Sequence, residues 1–313
     1  MIFIAELCQN HNGDFELLKE MTYAAKESGA DYAKIQTIFA NMVSFRERFE
    51  KGKIVNGIEE VIKRPYKAEI ERLKKLEISY DKQAEFVELC KKIGIKPLTT
   101  AFTRDSLDFI RKAGFDEIKI ASYDCASRPL IDDVKNSFNK IFVSTGASFN
   151  EEIEAAAKIL NGSDFSLLHC VTQYPTPLNQ YNLSRMNFLR GFCNSVGWSD
   201  HSLTSQDGIK GTLASIFYGA DVIERHFTIL PPSETKDGPV SISPKNVMEL
   251  KKFSQLTQEK MRDKLQNIFP LFHLTLGSEH RDLSKTEMKN RDYFRGRFIN
   301  KVSKDTFYNW EKY

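Results

Sequence analysis

Cysteine is sparse in this 313-residue chain: Cys8, Cys90, Cys125, Cys170 and Cys193 are an odd set with no CxxC pair. A disulfide scaffold and a thiol-rich zinc motif are thereby excluded, and a reduced, cytoplasmic compartment is expected. Long apolar runs are missing too. Nothing approaches the roughly 20 residues of a membrane span. Met1-Ile2-Phe3-Ile4-Ala5-Glu6 has no basic flank and is interrupted by Glu6, so neither an anchor nor a secretory signal is expected. Neither sign of charge dominates, with 45 Lys and Arg against 42 Asp and Glu, a formal +3. That balance gives no basis for nucleic-acid binding, whereas an anionic small molecule would need only one basic pocket. The exit of the first apolar run, Cys8-Gln9-Asn10-His11-Asn12-Gly13, also lacks the G-x-G-x-x-G dinucleotide fingerprint.

What is present is a repeating rhythm. β-like runs at 2–8, 32–37, 96–101, 117–122, 140–145, 166–171, 195–199 and 222–227 alternate with amphipathic stretches such as 15–28, 82–93, 104–113, 151–160 and 206–218, whose apolar residues recur every three to four positions. Four junctions repeat one phrase, with Gly29, Gly94, Gly114 or Gly219 closing a helix just before an apolar strand. Glycine accepts the left-handed turn that ends a helix. Repeated β–α units predict a parallel sheet, either open and doubly wound or closed. Polar residues stand at the end of every strand rather than at one switch point, which favours an α/β fold of the (β/α)8 TIM-barrel type. The expected organisation is a barrel over residues 1–280 and a short Lys- and Arg-rich C-terminal tail over 281–313. Residues 37–80 interrupt the rhythm as a charged insertion, either a lid or a plain surface loop, and 245–265 reads as the final helix.

The strand ends carry the chemistry. His201 closes Gly197-Trp198-Ser199-Asp200-His201, and His226 closes Val222-Ile223-Glu224-Arg225-His226. Alone, each reads as a turn cap or a satisfied core histidine. At the ends of neighbouring strands they can converge on one divalent cation whose open positions would polarise a carbonyl. Lys34 and Lys119 lie among apolar strand residues and should be buried in the barrel, where lysines are rarely unpaired. With the hydroxyls of Thr100, Ser122, Ser144, Thr172 and Ser199 they form a basin for a small dianion or trianion.

In order along the chain, Ile4-Ala5-Glu6 with Asn10-His11-Asn12-Gly13, Ala33-Lys34-Ile35-Gln36-Thr37, Lys119-Ile120-Ala121-Ser122, Ser144-Thr145-Gly146, His169-Cys170, Tyr174-Pro175-Thr176-Pro177, Ser199-Asp200-His201 and Glu224-Arg225-His226-Phe227-Thr228 resemble the sialic acid synthase family. The resemblance implies a barrel enzyme that condenses phosphoenolpyruvate with an N-acyl-aminohexose, such as N-acetylmannosamine. The product would be a nonulosonic, sialic-acid-like 2-keto acid plus phosphate, made for surface polysaccharide biosynthesis. A divalent cation is implied, manganese first, with magnesium or cobalt as alternatives. By position, His201 and His226 match the metal ligands, with Asp200 as their orienter. Lys34 and Thr100 match residues that hold the donor carboxylate, and Lys119, Ser122, Ser144 and Ser199 those around its phosphate. Glu6, Tyr174 and Asp237 match acceptor contacts, and either Glu6 or Asp124 would position or deprotonate the water. Asp124 stands where the family usually has glutamate, and Thr172 replaces an amide-bearing residue.

Family members usually carry an antifreeze-like domain after the barrel, which reaches across a dimer to the acceptor. This chain stops at Tyr313, with Asn290–Arg297 resembling the linker to that domain and Asn309-Trp310 its approach. A homodimer is therefore expected, with the domain absent or supplied by a separate partner, and the acceptor is open to other amino sugars, such as a legionaminic or pseudaminic acid precursor. Two alternatives stand beside the synthase. A metal-dependent barrel hydrolase or isomerase is disfavoured because Ala5-Glu6-Leu7 offers no His-x-His on the first strand. A non-catalytic sugar-phosphate-binding or scaffold homologue would have no use for Lys34, Lys119, His201 and His226 together.

Overall fold

A computed structural model describes residues 1–312 of the chain. Its strands are β1 (Ile2–Glu6), β2 (Tyr32–Thr37), β3 (Lys53–Val55), β4 (Ile58–Val61), β5 (Lys96–Ala101), β6 (Glu117–Ile120), β7 (Lys140–Ser144), β8 (Asp164–Cys170), β9 (Val196–Asp200), β10 (Val222–His226), β11 (Asn300–Val302) and β12 (Asp305–Phe307). The eight runs read from the sequence close into a parallel barrel in the order β1-β10-β9-β8-β7-β6-β5-β2. The closing seam pairs Ile4 with Glu224 and Glu6 with His226 on one side, and Glu6 with Lys34 on the other. Gly29, Gly94, Gly114 and Gly219 have φ of +88°, +76°, +92° and +89°, so the repeated glycine phrase does mark left-handed helix ends.

Side chains alternate across a strand, and here the alternation builds the site. Outward residues such as Phe3, Ala5, Ala33, Ile35 and Ile118 join the helices in the main core. Inward, Ile4, Tyr32, Leu98, Phe142, Leu168 and Val222 form a separate apolar plug that fills the barrel floor. Two residues on, the same six strands present Glu6, Lys34, Thr100, Ser144, Cys170 and Glu224. Lys119 and Ser199 complete that polar layer, because Gly197, two residues before Ser199, leaves only backbone where a Cβ would meet Val222 O at 2.2 Å. One more step of two brings Thr172, His201 and His226 to the mouth. An apolar floor, a charged layer and an imidazole layer thus follow from period-two patterning alone.

Three expected elements differ. The 206–218 helix is two, Thr204–Asp207 and Lys210–Phe217, because Gly208 at φ +58° turns the chain between them. The 245–265 helix is also two, Pro244–Phe253 and Gln258–Ile268, and the second starts where the Thr257 side chain accepts from the Lys260 N–H. The 104–113 helix begins only at Leu107 and ends at Lys112. The 37–80 insertion is structured: β3 and β4 pair antiparallel around Asn56-Gly57, whose φ values of +50° and +76° suit a tight hairpin turn, and a helix follows at Tyr66–Lys74.

After the barrel, the helix Lys285–Phe294 and the β11–β12 hairpin fold back across the mouth. Arg297 pairs with Glu69 of the insertion, and Arg291 with Glu152. Asn309 Nδ2 donates to Asp124 Oδ1 at 2.9 Å and to Phe102 O at 2.9 Å. Residues expected as a tail therefore form part of the cavity wall.

Candidate active site

The C-terminal ends of the barrel strands open into a cavity of about 510 Å³. Of the site residues named from the sequence, all but the expected orienter Asp200 lie on its wall: Glu6, Lys34, Thr100, Lys119, Ser122, Asp124, Ser144, Thr172, Tyr174, Ser199, His201, His226 and Asp237. Residues up to 231 positions apart meet there because the strand ends and the turns that follow them converge at one end of the barrel.

At the bottom, the two lysines are already paired. Lys34, 2% exposed, forms an ion pair with Glu6, lies 3.4 Å from Glu224 Oε2 and donates to Thr100 Oγ1 at 3.1 Å. Lys119 donates to Ser144 Oγ at 2.6 Å and lies 3.5 Å from Glu224 Oε1, which also accepts from Ser199 Oγ at 2.9 Å. Burial is the largest influence on both lysines and favours their neutral forms. Glu224 and Glu6 more than offset it at Lys34, whose pKa is raised, while at Lys119 burial prevails and the pKa falls. Burial also opposes ionisation of Glu224, yet Lys119 and Lys34 hold that carboxyl down at about 2. Glu224 is thus the shared counter-ion of both lysines. Its partners lie on β2, β6 and β9, and only barrel closure brings them together.

Asp124 lies on a short turn after β6, half-buried against the cavity. Burial pushes its carboxyl up to about 6, against hydrogen bonds from Asn309 and from Ser127 Oγ at 2.9 Å. At the mouth, the rings of His201 and His226 lie 5.5 Å apart, centroid to centroid. Tyr174, half-exposed, hydrogen bonds through its hydroxyl to His201 Nε2 at 2.8 Å. Burial, then the neighbouring His226, lowers the His201 pKa to about 3, so its imidazole is neutral and has lone pairs to offer. Outside this layer, Arg64, Arg72, Lys236 and Arg297 give the entrance an excess of positive charge.

A divalent cation fits the donors present. A ligand atom from each of Cys8, His226 and Asp237 lies within 4.8 Å of the other two. The buried His226 Nδ1 has no hydrogen-bond partner among the described residues. Asp237, matched by resemblance to the acceptor, therefore also stands beside His226. Glu224 stands at a strand end in the sequence but was given no role there, and Cys8 was not singled out; the signal available was the inward register of Glu224 on β10 and the place of Cys8 two residues past the end of β1. Asp200 does not act as an orienter of an imidazole. It is fully buried and points outward, where it binds Arg225 and accepts from Thr212 Oγ1 at 2.6 Å and from the Ser202 N–H at 2.8 Å. Its hold on the histidine layer is through the backbone just after His201.

A closed (β/α)8 barrel with buried lysines, carboxylates and imidazoles gathered at the C-terminal mouth is the architecture of an enzyme. The particular family follows from comparison with known proteins. The model of the NeuB family matches residues 21–266, and the chain belongs to that family. It is 32% identical over 269 residues to the N,N'-diacetyllegionaminic acid synthase of Campylobacter jejuni, covering 84% of this chain and 78% of that protein. It is 30% identical over 243 residues to the pseudaminic acid synthase of Helicobacter pylori, covering 76% and 69%. Among solved structures, the N-acetylneuraminic acid synthetase of Leptospira borgpetersenii superposes with a TM-score of 0.69 at 27% identity, over 93% of this chain and 90% of that one. The chain is accordingly an enzyme of nonulosonate-synthase type.

Proposed function

We propose that this enzyme condenses phosphoenolpyruvate with the open-chain aldehyde of an N-acyl-aminohexose, giving a nonulosonic 2-keto acid and phosphate. The observation that carries the reading is the stacking of layers. The paired lysines and hydroxyls lie directly beneath the histidines, so an anionic donor held below would face a carbonyl held above. The names of the relatives make legionaminic- or pseudaminic-type precursors the first acceptors to try.

In this reading Lys34 and Thr100 take the donor carboxylate, and Lys119, Ser122, Ser144 and Ser199 surround its phosphate. Because Glu6 and Glu224 balance the lysines in the free protein, the donor must exchange with those contacts on entry. The two lysines then share the donor's charge with their carboxylates while the basic mouth draws the anion in. His201 and His226 would hold a divalent cation, whose chemistry when bound is Lewis-acid polarisation of the acceptor carbonyl. Donor C3 forms the new bond to the aldehyde carbon, and the aldehyde oxygen takes a proton to become a hydroxyl. Water adds to donor C2, its proton passing to a carboxylate. The C2–O bond to phosphorus then breaks, phosphate leaves, and the remaining C2 hydroxyl loses its proton to form the ketone. Tyr174, bonded to His201, and Asp237, beside His226, face the acceptor.

Asp124 is the better candidate to accept the water's proton. Glu6 is held by Lys34 and by the Cys8 N–H at 2.7 Å, whereas burial pushes the Asp124 carboxyl up to about 6. A carboxyl that must be ionised to work makes the rate rise with pH through about 6 and then level. Asp124→Asn should remove that limb and lower kcat by roughly 10²–10⁴-fold. An unchanged limb in the variant would return the role to Glu6.

The function itself is tested by phosphate release from phosphoenolpyruvate in the presence of manganese, magnesium or cobalt, with a panel of N-acyl-aminohexoses each omitted in turn. Release that requires both an acceptor and a cation is the expected result. Release without any acceptor would indicate a hydrolase instead, and no release with any acceptor would remove the synthase reading.

A further inference from the structure

Cys8 sits where β1 runs into the cavity, and its thiol points at the histidine layer. Its Sγ donates to Asp237 Oδ2 at 3.1 Å, and the two residues are 229 positions apart in the chain. Together with His226 they form a trio of metal-ligating side chains whose donor atoms all lie within 4.8 Å of one another. The thiol-to-carboxylate hydrogen bond would satisfy Asp237 by itself. It leaves unexplained the imidazole beside them: His226 is only 8% exposed, and its Nδ1 has no partner among the described residues. An unsatisfied buried ring nitrogen is costly unless something occupies the space it faces. His201 is differently placed, because its Nε2 already holds the Tyr174 hydroxyl and its Nδ1 lies 3.8 Å from Cys170 Sγ.

We infer that the cation of this enzyme is bound by Cys8, His226 and Asp237, with the Cys8 thiolate as a direct ligand and His201 completing the set once Tyr174 releases it. On binding, a sulfur–metal bond forms and the thiol proton leaves to solvent. The consequence is a change in metal preference. A soft thiolate beside imidazole and carboxylate selects zinc, cobalt or ferrous iron over manganese and magnesium, which favour oxygen donors. Where the resemblance implies manganese first, this side-chain set implies a more thiophilic ion, and a protein whose metal loading is lost when Cys8 is oxidised or alkylated. The inference rests on the proposed function only for what the cation does, not for where it binds.

The test is optical and needs no turnover. Cobalt(II) titrated into the metal-free full-length protein should produce a near-ultraviolet sulfur-to-cobalt charge-transfer band at one equivalent. Cys8→Ser should abolish that band, weaken cobalt binding by more than about tenfold, the lower end of what is lost with a group that merely supports a ligand, and shift the cobalt-to-manganese affinity ratio toward manganese. Cys170→Ser, which alters the other thiol near the histidines, should keep the band. Circular dichroism and thermal unfolding of the metal-free variants separate lost ligation from lost folding, and Cys8→Ala provides a second variant should serine perturb the turn. A band that survives Cys8→Ser, a band lost only with Cys170→Ser, or stoichiometric cobalt binding without a band would each overturn the assignment. Failure of the synthase reaction with an intact band would leave the ligand set standing and remove only the functional reading.

Discussion

Glu224→Gln is expected to destabilise the free protein by about 3–5 kcal/mol, the cost of leaving a buried charge without its partner. The substitution keeps the shape of the side chain and the acceptor for Ser199, so the change is one of charge. Glu224 faces Lys34 at 3.4 Å and Lys119 at 3.5 Å, and without it two buried ammonium groups share Glu6 alone. The linkage has a definite sign. With its folded pKa held down at about 2, below the ordinary carboxylate value of 4.5, Glu224 contributes stability that is present above pH 4.5 and lost as pH falls toward 2. The variant should therefore lose more at pH 7 than at pH 3. Adding phosphate or phosphoenolpyruvate supplies the missing negative charge, so ligand should raise the midpoint of thermal unfolding more in Glu224→Gln than in the parent. A ligand at a hundred times its Kd gives about 2.7 kcal/mol, enough to restore much of the deficit. Equal ligand-induced shifts in the two proteins would mean that the anion does not bind against the lysines.

The barrel was legible because its signals are local. Period-two alternation, glycines at the helix ends and a polar residue at every strand terminus are each fixed within a few positions of sequence, and all eight strands appear where those signals fall. Lys34 and Lys119 could be picked out for the same reason, as charges stranded in apolar runs. Their shared partner could not. Glu224 is 190 residues from Lys34, and only the closure of β10 on β1 brings the two together. The fold-back of residues 281–312 was equally hidden, since Arg297–Glu69 and Asn309–Asp124 join segments that carry no mark of each other. The hairpin of β3 and β4 is a different case. Asn56-Gly57 is a strong turn signal, but the flanking strands are only three and four residues long and mostly exposed, too short to show an alternation, so the insertion read as an irregular loop. Likewise Thr257 ahead of Gln258-Glu259 is a legible helix start inside 245–265, overridden there by the continuous apolar spacing.

Asp200 offers the sharpest contrast between neighbours in sequence and neighbours in function. It adjoins His201, yet the outward turn of its side chain commits it to a network with Arg225, in which both residues are 0% exposed. Arg225 also donates to Ser202 O at 3.1 Å and Thr212 Oγ1 at 3.0 Å, so this one pair ties β9 and β10 to the helices behind them. Asp200→Asn and Arg225→Met should each cost about 3–5 kcal/mol, because each leaves the other charge buried and alone. That is a large part of a typical total of about 5–15 kcal/mol. The double variant should lose less than the sum of the two by about 0.5–3 kcal/mol, the coupling usual for residues in one network. Denaturant unfolding of the four proteins measures this directly. Metal binding separates the two roles that Asp200 could have. If it only anchors the Ser202 N–H, cobalt affinity measured at low temperature, where the variants remain folded, should change little and to the same extent in Asp200→Asn and Arg225→Met. If Asp200 acted on the His201 ring, Asp200→Asn alone would weaken the metal while Arg225→Met left it intact. The outward register of residue 200 on β9 selects the first outcome, since the residue that shares the cavity with the histidines is Ser199.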